Sequence, residues 1–493
     1  MKKKSPVKKS PNKGFALIVA LVALLVLSTL AASVLMLTQI EITTSYNYKR
    51  LTQARYAAEA GLQSAQNYLT YTYSAPTVFT SYDLTKSPVQ FGGVDVVLSA
   101  MNGAASNYPT GAVQTAFNTA LLNKAVPGMG VNVSYGVTAT LLSMQQATFL
   151  GGSSAPMQTW LIRSRGSIAG SEGQVELVTT IERTGTPVFK YAVFGTSAAC
   201  DSVTFGGGGG SDSYDSSGTY AATKLTSGGD LGSNGNIGLG GGGGTTLTKQ
   251  IYGTLNTPMT GTGNCSVGAP DALSIGSGWT IGTLNQLAAP VTYTTISTAT
   301  GALAPAVQNI RNNCNTITGC SCYPGGGWAC TNSGPYMLAP GAYADASLGG
   351  GKTVHLSAGT YNFNSFSLNG TIIIDSGPVV LKAATTGIGA GVCCAVDFSG
   401  GTVVNSSGIP SNFQIIYGGT ALIKMTGGSG ASQVIYAPNS DVSIGGGGEV
   451  FGAIIGKTVA NGGGSAIHYD RQLTSGLVSG GTYHATNFTW NRY

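Results

Sequence analysis

The chain opens on an unbroken apolar block. Residues 15–37, FALIVALVALLVLSTLAASVLML, carry no charge. As a helix they are long enough to cross a hydrocarbon core of ~30 Å. After Leu37 the pattern becomes periodic. Leu51, Ala54, Ala58, Leu62, Ala65 and Leu69 recur at steps of three or four, one stripe of a helix, while Glu41, Lys49, Arg50, Arg55 and Glu59 fill the polar remainder. No proline stands between Pro11 and Pro76, and no glycine between Gly14 and Gly61. The pattern predicts one continuous helix from about Phe15 to about Leu69, on the order of 80 Å long. Its first half suits lipid and its second half suits packing under a globular head.

Residues 71–110 then read as loop with short strands, and Val113–Ala125 as a short amphipathic helix with Phe117, Leu121 and Leu122 on one side. Val137–Met144, Thr159–Ile168 and Val175–Arg183 read as strands. In the last, Val175, Leu177, Thr179 and Ile181 alternate with Glu176, Thr180 and Glu182, as in an antiparallel sheet with one wet face. A first domain is expected at about 15–190, its sheet covering the Leu51/Ala58/Leu62 stripe.

Beyond Gly195 glycine sets the rhythm. Gly206–Gly210, Gly240–Gly244 and the segment GDLGSNGNIG from Gly229 to Gly238 read either as flexible linkers or as tight turns between short strands. Spacing favours turns further on: Gly341, Gly359 and Gly377 are 18 apart, and glycine clusters begin at Gly427, Gly445 and Gly462. Short apolar runs lie between them: Thr371–Ile374, Val379–Leu381, Gln414–Tyr417, Gln433–Tyr436, Val442–Ile444 and Ala453–Ile455. A repeat near 18 residues holds two or three strands with turns, one rung of a right-handed parallel β-helix. A glycine-rich β-sandwich is the alternative. The fold class expected is thus α+β: a long N-terminal helix on an antiparallel sheet, then a mainly-β domain.

Composition adds three constraints. The 493 residues suffice for two or three domains, and 75 glycines with only 9% charged residues, at a mean hydropathy of +0.17, favour a glycine-punctuated β protein over a solvated coil. The net charge of +6 sits in Lys2, Lys3, Lys4, Lys8, Lys9 and Lys13; without them basic and acidic residues are equal, so no broad basic face is available for nucleic acid. By the positive-inside rule those lysines keep the N-terminus cytoplasmic and send the rest across the membrane. Eight cysteines, Cys200, Cys265, Cys314, Cys320, Cys322, Cys330, Cys393 and Cys394, behind such a segment read as disulfide candidates in an oxidising compartment, with connectivity open. A zinc site would need paired CxxC knuckles, which are absent, so no metal is expected; free thiols are the remaining reading.

Catalytic chemistry is hard to assemble from this sequence. Acids in the last third, Asp345, Asp375, Asp397, Asp441, Glu449 and Asp470, are dispersed, whereas glycan cleavage needs clustered carboxylates. His468 and Asp470 would share a face if they lie on a strand, and read as a satisfied surface pair. Asp212 and Asp215 stand near polyglycine, but the nonapeptide calcium repeat is missing. Gly206–Gly210 lacks the lysine and hydroxyl of a phosphate loop. No cofactor and no enzyme activity are expected. The 23 tyrosines include candidates for a sugar-binding or adhesive surface.

Lys13-Gly14-Phe15 followed by ALIVAL resembles a prepilin leader. In the type IV pilin superfamily a membrane aspartyl peptidase cuts after the glycine and methylates the new N-terminus. The longer string through Glu41 and Ala57-Ala58-Glu59-Ala60-Gly61-Leu62 resembles the N-terminal domain of PilX-type minor pilins. The resemblance covers roughly 60 residues. It implies cleavage between Gly14 and Phe15, a pilin head of helix on antiparallel sheet, and the inner membrane, prepilin peptidase and other pilins as partners. A plain signal anchor is the alternative. Most major pilins carry a glutamate at the fifth mature position, where this chain has Val19; the K-type minor pseudopilin of type II secretion shares that lack. The later stretch, with Tyr436-Ala437-Pro438-Asn439 and Ile467-His468-Tyr469-Asp470, resembles an uncharacterised β-solenoid domain fused to such N-termini. The implied divisions are a leader (1–14), a helix (15–70), a head (71–190), a glycine- and cysteine-rich β region (191–335) and a β-solenoid (336–493). The implied function is a minor pilin that primes or tips a pilus and adheres at the cell surface. Alternatives are a secretion pseudopilin, or a cell-surface β-helix that binds or acts on polysaccharide.

Overall fold

A computed structural model describes residues 13–492 except 77, 79, 102–106, 130–131, 153, 171–172, 184, 242–246, 267–270, 295, 297–319, 324–326, 331–336, 344, 349–352, 385–392, 426–429 and 480–482. The chain divides into two compact units. One comprises Met1–Gln145, Met157–Thr184 and Thr482–Tyr493, the other Gln146–Pro156 and Gly185–Gly481.

The first unit is built on α1, Lys13–Tyr71, a single helix as the absence of internal proline predicts. Its C-terminal half lies against a sheet in which Tyr483–Arg492 pairs antiparallel with Gln174–Arg183, and that strand pairs antiparallel with Ser154–Ile168. Ser154–Ile168 neighbours Val133–Phe149, which also takes Val97–Ser99 and Lys124–Ala125 antiparallel. Ala54, Ala58, Leu62, Ala65 and Leu69 of the expected stripe are buried, Leu51 is half-buried, and they meet Val137, Trp160, Ile162, Leu177 and Ile181 in one core. Two expectations need correction. The helix expected over Val113–Ala125 is α2, Gly111–Leu121; Leu122 is extended and Asn123 takes a left-handed φ of 48°. Asparagine accepts that conformation at low cost, so the chain turns there into Lys124–Ala125. Glu176, expected on the wet face, is buried because Arg163 and Arg165 cover it, each 3.2 Å from a carboxylate oxygen.

The second unit is a stack of short strands in parallel register. One column runs Gly341–Ala342, Gly359–Phe363, Val379–Ala383, Phe413–Tyr417 and Ala431–Ile444, then Glu449–Asn461. A second runs Asp345–Leu348, Ser365–Leu368, Cys394–Asp397 and Leu422–Met425, and meets the far half of Ala431–Ile444. A third holds Met337–Leu338, Thr353–Leu356, Thr371–Ile374 and Thr402–Asn405. Inward residues such as Tyr361, Leu381, Phe413, Ile415 and Ile435 form the core.

The step is not a uniform 18. Thr353 stands beside Thr371, but Gly359 beside Val379 and Val379 beside Phe413. Turns between strands differ in length, while the strands keep register. The spaced glycines mark close approaches instead: Gly359 has φ +148°, and a Cβ there would lie 2.4 Å from Pro340 Cγ.

The divisions expected at 191–335 and 336–493 do not separate two bodies. Val193–Gly195 pairs in parallel both with Leu231–Ser233 and with Ile454–Gly456. Val203–Phe205 likewise lies between Ile237–Leu239 and Val459–Asn461. The earliest strands of the unit are thus stacked on its latest ones, and Tyr483–Arg492 belongs to the first unit. Among the glycine tracts, Gly207 and Gly209 pack backbone to backbone on Gly462–Ser465, and Gly210 on Gln250; a Cβ on Gly207 would lie 2.1 Å from Gly464 N. In GDLGSNGNIG the turn between two strands is closed by Gly235 N–H donating to Ser233 Oγ, and Asn234 ties it to other segments, donating to Thr196 O and Val291 O and accepting from Val291 N–H. Residues 242–246 lie outside the described residues.

Candidate functional site

α1 has two chemically distinct halves. Every described side chain from Phe15 to Lys49 is exposed, including Val19 and Glu41, although the stretch contains Phe15, Leu17, Ile18, Leu21, Leu24 and Leu25. An apolar surface of this extent is unfavourable in water. Its polar groups are disposed for lipid. Ser28 donates to Leu25 O, Thr29 to Val26 O and Ser33 to Thr29 O, so each hydroxyl of the apolar run is satisfied by its own helix. Tyr46 and Tyr48 stand just beyond, and the Arg50 guanidinium lies 4.1 Å over the Tyr46 ring. Aromatic and cationic side chains there suit a membrane–water boundary. The backbone at Gly14 and Phe15 is already helical.

The second half explains Ala57–Leu62 residue by residue. Ala57, Ala58 and Leu62 are buried and Ala60 is half-buried. Glu59 points away and pairs with Arg55 at 3.0 Å. Gly61 sits where helix and sheet nearly touch: a Cβ would lie 2.1 Å from Ser164 Oγ and 2.9 Å from the Tyr135 ring. Gly166 answers it from the sheet, where a Cβ would lie 1.9 Å from Ala54 O. Tyr135 Oη donates to Ser64 Oγ at 2.9 Å, and Gln66 Nε2 donates to Tyr483 O at 3.1 Å. Small residues on both elements let the backbones approach. The sequence reading did not single out Gly166, Ser64, Gln66 or Tyr483; a glycine inside an otherwise regular strand was the one available signal.

A second constellation lies within the stacked-strand unit. Ser211–Tyr214 pairs in parallel with Ala466–Asp470, which puts Asp212 beside His468. Asp212 Oδ1 is 2.6 Å from His468 Nδ1, and Asp212 Oδ2 accepts from Tyr220 Oη at 2.6 Å. The imidazole is fully buried, with the Tyr220 ring at 4.3 Å and the Phe451 ring at 4.6 Å. His468 Nε2 makes no hydrogen bond and lies 3.9 Å from Glu449 Oε1. Burial, then the bond to Asp212, raise the Tyr220 phenol above its ordinary value. The expected His468–Asp470 surface pair is therefore corrected: both are buried, and His468 pairs with Asp212 across the stack. Asp470 Oδ1 instead accepts from the backbone of Ser216 at 3.0 Å and of Gln472 at 3.1 Å, and burial raises its carboxyl. The buried imidazole ties two strands that are distant in sequence.

With these sites in view, comparisons with known proteins add little. Residues 295–476 match the family described as a domain of unknown function (DUF7305). No curated protein matches the chain. Among solved structures, the competence-associated pilin ComZ from Thermus thermophilus aligns at 12% identity and a TM-score of 0.29, over 90% of this chain and 98% of that one. A likeness of that degree carries no argument about this chain.

Of the cysteines, Cys200 is bonded to Cys265 and Cys393 to Cys394. Cys314 lies outside the described residues. Cys320 and Cys330 are register partners in the antiparallel strands Cys320–Tyr323 and Gly327–Cys330, whose side chains also lie outside them.

Proposed function

We propose that the chain is a membrane-anchored minor subunit of the type IV pilin class, carrying a parallel β-helix as its displayed head. The division of α1 carries this reading: an exposed apolar half with internally satisfied hydroxyls, followed by a small-residue half packed on an antiparallel sheet. The prepilin-like Lys13-Gly14-Phe15 supports processing between Gly14 and Phe15 by a prepilin peptidase. Val19 supports a minor over a shaft subunit, because a carboxylate at that depth is costly in lipid and is retained where it pairs with a neighbouring amine. The uniformly parallel columns support a β-helix over a hairpin-built sandwich, whose strands pair antiparallel.

In this reading the leader is removed at the inner membrane, other pilins pack on the exposed half of α1, and the head primes or tips a filament and contacts surfaces, including polysaccharide. Mass spectrometry of the exported protein's N-terminus tests it. A mature chain beginning at N-methylated Phe15 is expected, and replacing Gly14 by a larger residue should block processing. An uncut terminus, or cleavage after Ala31–Ser33, would overturn the reading.

A further inference from the structure

Cys393 and Cys394 lie far along the chain from α1, at the start of a strand of the second column. They are adjacent in sequence and bonded to each other; Cys393 is exposed and Cys394 is buried. Cys394 opens the strand Cys394–Asp397, whose register against Leu422–Met425 is irregular between Cys394 and Val396. A regular strand sends successive side chains to opposite faces. Here the bond holds both sulfurs together beside Asp397. Asp397 Oδ1 accepts a hydrogen bond from Ser399 N–H at 3.0 Å, and Oδ2 is 3.8 Å from Cys393 Sγ. The two sulfurs and a carboxylate oxygen all lie within 4.8 Å of one another.

In the disulfide that sulfur has no proton, so the contact with Oδ2 is not a hydrogen bond. Reduced, the same three groups become two thiols and a carboxylate, which on losing the thiol protons supply three corners of a tetrahedral site for a soft divalent cation. The Ser399 N–H is the outer hydrogen bond that orients such a carboxylate ligand.

We propose that Cys393, Cys394 and Asp397 form a redox-gated metal site, closed by the vicinal disulfide and opened by reduction to hold a thiophilic divalent cation such as zinc. The reductant is a small dithiol. One of its thiolates attacks the exposed Cys393 Sγ, and Cys394 leaves as a thiolate; the second thiol of the reductant then resolves the mixed disulfide, releasing Cys393 and forming the reductant's own disulfide. Two electrons and two protons pass to the cysteines. Zinc binding displaces both thiol protons, and water takes the fourth position.

The test is zinc and cobalt titration of the full chain in detergent, oxidised or reduced with dithiothreitol and freed of it anaerobically. Reduction exposes other cysteines too, so the readout is the difference between wild type and Cys393→Ser. Reduced wild type should bind about one equivalent more zinc than reduced Cys393→Ser, with a correspondingly stronger sulfur-to-cobalt charge-transfer band. Oxidised, the two should bind alike. Asp397→Asn keeps both sulfurs and should bind at least about tenfold more weakly when reduced; it also serves if the serine variant fails to fold. Equal zinc stoichiometry and affinity in reduced wild type and both variants would overturn the proposal.

Discussion

Gly61 occupies the tightest point between α1 and its sheet. Alanine is the better helix former by about 1 kcal/mol, yet its Cβ would meet Ser164 Oγ and the Tyr135 ring well inside contact distance. Overpacking of this kind costs about 1–3 kcal/mol. Gly61→Ala should therefore lower the denaturation midpoint, and adding Ser164→Gly should recover part of the loss in a double-mutant cycle.

Asp212 poses a different problem, because two buried groups depend on it. Asp212→Ala strips His468 Nδ1 and Tyr220 Oη of their partner at once. A loss of about 1–3 kcal/mol for each orphaned group is expected, readable by calorimetry, whereas Glu449→Gln, at 3.9 Å from Nε2, should cost less. Asp470 sets a pH dependence. Burial raises its carboxyl in the folded state, so the folded form binds a proton more readily than the unfolded one. The associated stability is present below the ordinary carboxylate pKa of ~3.9 and is lost as pH rises through the raised value. Asp470→Asn keeps an oxygen for the Ser216 and Gln472 amides. It should match wild type near pH 3 and exceed it in melting temperature near pH 7. An equal difference at both pH values would contradict the assignment.

Among the elements, Tyr483–Arg492 carries more than its length suggests. It covers Gln174–Arg183 and is gripped from α1 by Gln66, while Tyr483 Oη donates to the buried Gln158 at 2.8 Å. Deleting it uncovers a sheet edge rich in Val, Leu and Ile. Concentration-dependent association in light scattering is expected, and Tyr483→Phe alone should cost only about 1 kcal/mol. This strand also marks a limit of what periodicity conveys. α1 was legible because an unbroken 3.6-residue pattern needs no partner to be seen, and the strands from Val137 to Arg183 were legible by alternation. Which strand pairs with Tyr483 is a long-range fact that local pattern does not carry. Glu176 was misplaced for the same reason, since its arginine cover comes from the neighbouring strand. The buried stripe Ala54, Ala58, Leu62, Ala65 and Leu69 could be read in advance because its pattern lies along one helix.

For the whole molecule, Asp212–His468 and the pairing of Val193–Gly195 with Ile454–Gly456 show why the glycine rhythm misled. The spaced glycines mark close approaches, and turns of unequal length hid both the true step and the order of the stack. Because Val193–Gly195 is held on both sides, its amides and those of Ile454–Gly456 should exchange with matched protection and open together. Independent opening in hydrogen exchange would argue against one cooperative stack.

That order also sets a clock. Ribosomes add ~5–20 residues per second, so Val193–Gly195 is made on the order of tens of seconds before Ile454–Gly456 exists to cover it. Throughout that interval the nascent chain presents a half-finished edge. It needs either a holding partner or delayed compaction, and its greatest hazard falls during synthesis rather than after it is complete.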